Sequence, residues 1–86
     1  MFYNFKLTWL NVGNNKITGL PPTFGDLTEL IHLDLSCNEI ELAHIPKSFF
    51  APEMSLERLY LSDNIITELS DEFTRLTSLK ILALRY

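Results

Sequence analysis

The chain is poor in the residues that carry most chemistry: one cysteine, two histidines, three glycines and one tryptophan in 86 residues. With Cys37 alone, no internal disulfide can form, and the cysteine-dense framework of a small secreted domain is missing, which points to a reducing compartment. One cysteine with His32 and His44 falls short of a structural zinc set, so no metal site is expected. Gly13, Gly19 and Gly25 stand apart and form neither a GxGxxG run nor a GxxxxGK[ST] loop. No nucleotide or other cofactor is expected. Positive charge is also short, with seven basic against eleven acidic residues and a net charge of −4, so the electrostatic footprint of a nucleic-acid binder is absent. No apolar run approaches the roughly 20 residues that span a bilayer. The opening MFYNFKLTWLNVGN interrupts its apolar portion with asparagine and lysine and has no small-residue cleavage signature, so it does not read as a signal peptide. A cytoplasmic protein is the expectation.

What the chain does have is apolar content, 47% of it, which is enough for a folded domain. At this length a core is marginal unless the packing is regular. Regularity is visible in LERLYLSDNIITEL, residues 56–69, where leucine returns at 56, 59 and 61, asparagine stands at 64, isoleucine at 66 and leucine at 69. That rhythm fits neither one helix nor one long strand, and it predicts a short strand followed by a turn. Leu7, Leu10, Val12, Asn15, Ile17 and Leu20 repeat the spacing, as do Leu30, Leu33, Leu35, Asn38 and Ile40, and Leu79, Leu82 and Leu84 begin a fourth copy. The steps from Leu7 to Leu30, Leu56 and Leu79 are 23, 26 and 23 residues.

LxxLxLxxN followed by a variable segment is the leucine-rich repeat signature. It predicts an α/β solenoid, a right-handed β-α superhelix with a short parallel sheet on the concave face and short helical turns on the convex side. The repeats run 7–29, 30–55 and 56–78, with a partial copy at 79–86, so the array reads as a single domain truncated at both ends. Central leucines such as Leu59 and Leu61 point inward while Arg58, Tyr60 and Ser62 alternate outward. Asn15, Asn38 and Asn64 are expected to form an interior ladder, because a turn inside the core leaves backbone groups that an amide side chain can satisfy. Phe24, Leu27, Phe73 and Leu76 should line the convex wall, and Ser70 should cap a turn favoured by Asp71 and Glu72. The middle copy is longer by three residues, and ELAHIPKSFFAPEMSL, with Ile45, Pro46, Phe49, Phe50 and Met54, is expected to bulge from the convex side or the lower edge.

His32, Asp34 and Cys37 lie close in sequence and invite a nucleophile reading. An open sheet, however, offers no oxyanion hole and nothing to exclude water, so no enzyme is expected. The outward strand positions remain. They form three rows: Trp9, His32, Arg58 and Ile81; Asn11, Asp34, Tyr60 and Ala83; Gly13, Ser36, Ser62 and Arg85. Tryptophan, tyrosine and arginine are the types enriched at binding hot spots, so Trp9, Arg58 and Tyr60 are the lead contacts for a protein partner, with Asn11, His32 and Asp34 in support.

The stretch from LIHLDLSCNEIELAHIPKSFF through LERLYLSDN to LTSLKILALRY resembles the Ras suppressor protein family, its more specific mark being the lengthened repeat that ends in a double phenylalanine. The resemblance implies a non-enzymatic adaptor that binds the LIM-domain protein PINCH at cell-matrix adhesions and dampens Ras signalling. The alternative is a structural fragment or short isoform with no binding activity of its own. Because neither end carries a polar cap, self-association through the uncapped ends is expected.

Overall fold

The computed structural model describes residues 6–68 and 70–85. The opening MFYNF, Leu69 of the third copy and Tyr86 lie outside the described residues. Four three-residue strands, β1 (Trp9–Asn11), β2 (His32–Asp34), β3 (Arg58–Tyr60) and β4 (Ile81–Ala83), form one parallel sheet in the order of the chain. Register follows the repeat: Trp9, His32, Arg58 and Ile81 lie side by side, then Leu10, Leu33, Leu59 and Leu82, then Asn11, Asp34, Tyr60 and Ala83. Backbone bonding runs two steps past the strands, through Leu35 N–H to Tyr60 O (2.8 Å) and Cys37 N–H to Ser62 O (2.9 Å), and this pairs the third expected row as well.

Each strand stops where the chain turns left-handed. Asn14, Cys37 and Asp63 have φ near +60°, one residue before Asn15, Asn38 and Asn64 respectively. Asparagine and aspartate tolerate that region, whereas cysteine has no side chain suited to it. Asn38 then works in two directions. Its amide donates to Leu35 O (2.9 Å) and Ser36 O (3.3 Å) in its own repeat and to Val12 O (3.2 Å) in the repeat before, and its Oδ1 accepts from Ile17 N–H (3.1 Å). Asn64 does the same for Leu35 O and Ile40 N–H, both at 2.9 Å. Asn15 departs from the expected interior ladder. It is exposed and, among the described residues, donates only within its own turn, to Val12 O and Gly13 O, because the described residues hold no earlier repeat for it to serve.

The convex side is built from 3-10 turns, Pro22–Asp26, Leu42–His44, Lys47–Phe49 and Asp71–Arg75. Segments of three to five residues are too short to close a ladder of i to i−4 bonds, and Pro21 and Pro46 stand at two of the caps. Ser70 caps Asp71–Arg75, its Oγ accepting from Glu72 N–H (3.2 Å) as its sequence context suggests.

Alignment on the caps Pro21, Pro46 and Ser70 places Phe24, Phe49 and Phe73 in one column, each three residues on. The three extra residues of the middle repeat then divide: two fall between Ile40 and Pro46, where the added turn Leu42–His44 sits, and one between Phe49 and Leu56. Their apolar members do not bulge. Ile45, Phe49, Phe50 and Met54 are all buried, because Phe50 fills the gap between neighbouring convex turns, its ring edge-on to Phe49 (5.5 Å) and to Phe73 (5.3 Å). Phe24 meets Phe49 at 5.9 Å, so four rings run along the convex wall. Ala43 and His44 of the added turn face solvent. The added turn presses on Gly19, where a Cβ would lie 2.6 Å from His44 Cβ and from His44 O.

The core is densest in the middle. Leu30, Leu33, Leu35, Leu56, Leu59 and Leu61 are fully buried, whereas Leu7, Leu10 and Val12 on one side and Leu79, Leu82 and Leu84 on the other are half-buried. Among the described residues no helix is long and apolar enough to cross a membrane.

Candidate functional site

On the strand face, side chains from three strands gather around His32. The Trp9 ring stacks on it almost parallel, with centroids 5.0 Å apart and planes at 10°. Tyr60 approaches on the diagonal at 5.2 Å, tilted by 44°. Arg58, the direct partner of His32 in register, donates from Nε to His32 Nδ1 at 3.2 Å. Aromatic pairs of this kind contribute about 0.5–1.5 kcal/mol beyond the area they bury, so the cluster holds itself in place on a rigid sheet. Trp9 nonetheless stays 56% exposed, with one ring face against His32.

The rows deduced from alternation predict that Trp9, His32 and Arg58 adjoin one another. What sequence reasoning missed is the rank of His32, which is the centre of the cluster rather than a support. A signal was there, since the row order puts His32 between Trp9 and Arg58, and a diagonal step of two residues leads to Tyr60.

Asn11 and Asp34 have a different role. Asn11 Oδ1 accepts from Gly13 N–H and Asp34 Oδ1 accepts from Ser36 N–H, both at 2.9 Å, so each uses one oxygen to close the turn after its own strand. Cys37 is drawn away from the supposed nucleophile trio: its Sγ lies 3.9 Å from Asp63 Oδ2, and among the described residues it has no hydrogen bond to His32. No group of three or more His, Cys, Asp or Glu among the described residues could hold a metal ion.

The comparisons agree with this geometry. Residues 6–47 match the family model described as Leucine Rich repeats (2 copies), and residues 55–76 match the one described as Leucine Rich Repeat. The chain belongs to the leucine-rich repeat family. A relative in Dictyostelium discoideum, the MAP kinase phosphatase with leucine-rich repeats protein 1, is 38% identical over 80 residues, which is 93% of this chain and 9% of the relative. The chain thus spans less than a tenth of that protein's length. In a leucine-rich repeat array the strand face is the surface on which side chains from successive repeats converge, and here it carries Trp9, His32, Arg58 and Tyr60.

Proposed function

We propose that these repeats form a non-enzymatic protein-interaction module whose concave face docks a partner through Trp9, His32, Arg58 and Tyr60. One observation carries this reading: an exposed tryptophan is held flat by a histidine that is itself braced by an arginine and a tyrosine from the next strand. Exposed aromatic and arginine side chains on a pre-organised surface are what hot spots are made of. The cluster lies open to water, with Trp9 56% exposed where it stacks on His32, which weighs against catalysis there.

The resemblance in LDLSCN, IPKSFF and LTSLKILALR supports a finer reading, an adaptor of the Ras suppressor type that meets the LIM-domain protein PINCH in the cytoplasm at cell-matrix adhesions. A pull-down of the LIM-domain protein by the 86-residue chain tests it. Capture should be lost when Trp9, Arg58 and Tyr60 are all changed to alanine, and capture unchanged by the triple variant overturns the concave-face reading. The second reading is a purely structural piece of a larger array. The half-buried leucines on the two outer sides of the sheet favour it, since such faces ask for further repeats to cover them.

A further inference from the structure

Arg58 differs from the two other cations that the strands carry or border. Lys80 lies 3.5 Å from Glu57 and Arg85 lies 3.1 Å from Asp63, so each has a carboxylate. Arg58 is half-buried, and among the described residues it has no ion pair; its bond goes to the neutral acceptor His32 Nδ1. Asp34, two residues along from His32, points one oxygen to Ser36 N–H instead. Because Nδ1 of His32 accepts, its ring proton sits on Nε2, which has no hydrogen-bond partner among the described residues. The middle of this row therefore presents donors and one guanidinium that no carboxylate among the described residues pairs at contact distance.

Its two ends are apolar. Trp9 and Ile81 are both exposed, and they flank His32 and Arg58 in register. Three strand spacings of about 4.8 Å make the row about 14 Å long. An extended peptide rises about 3.3 Å per residue and puts alternate side chains on one face, so its positions i and i+4 lie about 13 Å apart with i+2 between them.

Resting on the docking role proposed above, we infer that the partner presents an extended segment with a carboxylate flanked two residues away on each side by a large apolar side chain. The segment lies across the strands. Its Asp or Glu accepts from Arg58 and from His32 Nε2–H, and its apolar side chains cover Trp9 and Ile81. Charge complementarity at Arg58 selects the acidic centre, and the length of the row selects the spacing.

Trp9 is the only tryptophan, so its emission reports on the site directly. The peptides acetyl-Leu-Thr-Glu-Thr-Leu-amide, its Gln counterpart and its Lys counterpart are titrated into the 86-residue chain. The Glu peptide should saturate the signal with an affinity about tenfold above the Gln peptide, as a charge-assisted bond replaces a neutral one, and the Lys peptide should bind weakest. Arg58→Gln, checked by circular dichroism, should bring the Glu and Gln peptides together. Equal binding of all three peptides to the unaltered chain overturns the carboxylate inference even if the alanine variants still abolish LIM-domain capture. Silence from every peptide also overturns it. Loss of capture in the pull-down then decides the broader docking role on its own, and the Lys comparison needs no variant to fold.

Discussion

The side-chain amide of Asn64 donates to the carbonyl of Leu35, 29 residues earlier, at 2.9 Å. The same side chain accepts from Ile40 N–H, so one asparagine supplies the preceding repeat with an acceptor for Ile40 and, beside Asn38, a second donor to Leu35 O. Asn38 serves Val12 and Ile17 in the same way. The ladder therefore has a direction: each repeat is completed by the asparagine of the one that follows.

Asn38→Leu should cost about 1–3 kcal/mol, because Ile17 N–H would be left without its acceptor and Val12 O with Asn15 alone as donor. Asn15→Leu, at an exposed position bonded among the described residues only to its own turn, should change stability by no more than about 0.5 kcal/mol. Urea unfolding of the two variants beside the unaltered chain separates them, and equal losses would contradict the directional ladder.

Cys37 occupies a left-handed conformation with φ of 58° that Asn14 holds in the repeat before. Cys37→Asn should therefore stabilise the chain by about 0.5–1 kcal/mol, recovering part of the roughly 1–2 kcal/mol that the left-handed region costs an ordinary residue. The check is an upward shift of the urea midpoint with unchanged slope.

Gly19→Ala should destabilise by about 1–3 kcal/mol, since the added methyl meets the backbone oxygen of His44 as well as its Cβ and cannot be cleared by one rotamer change. Thermal unfolding followed by far-ultraviolet circular dichroism measures it.

Phe50→Ala should be among the costlier single changes, about 3–5 kcal/mol, as it removes a fully buried ring that contacts both Phe49 and Phe73. Phe24→Ala, at a half-buried ring, should cost less. A reversal of that order in urea unfolding would refute the placement of Phe50 between the two neighbouring rings.

His32→Ala should alter Trp9 emission and near-ultraviolet circular dichroism while the far-ultraviolet spectrum holds, because Trp9 loses the ring on which it stacks and the sheet keeps its backbone bonds. Unchanged emission would mean that the stack does not orient Trp9.

Much of this architecture was legible in the residues themselves. Leucine at the first, fourth and sixth places, then asparagine at the ninth, sets strand, register and ladder together, so the pairing of Trp9 with His32 and of His32 with Arg58 follows from counting. Counting failed where length varied. Six residues before Leu56 stands Phe50, yet Phe49 takes the place of Phe24 and Phe73, because the cap at Pro46 rather than the next leucine fixes the convex turn. The site was legible as a row and illegible as a cluster: alternation shows which side chains share a face, whereas the tilt of Tyr60 toward His32 and the turn-closing role of Asp34 depend on rotamers.

The two-plus-one division of the extra residues in the middle repeat has a practical consequence for protein engineering. Neither place touches a strand or an asparagine of the ladder, and Ala43 faces solvent in the added turn. A short epitope or a fluorophore attachment site introduced at Ala43 would label the molecule on a loop the sheet does not depend on, leaving Trp9 free to report from the opposite face.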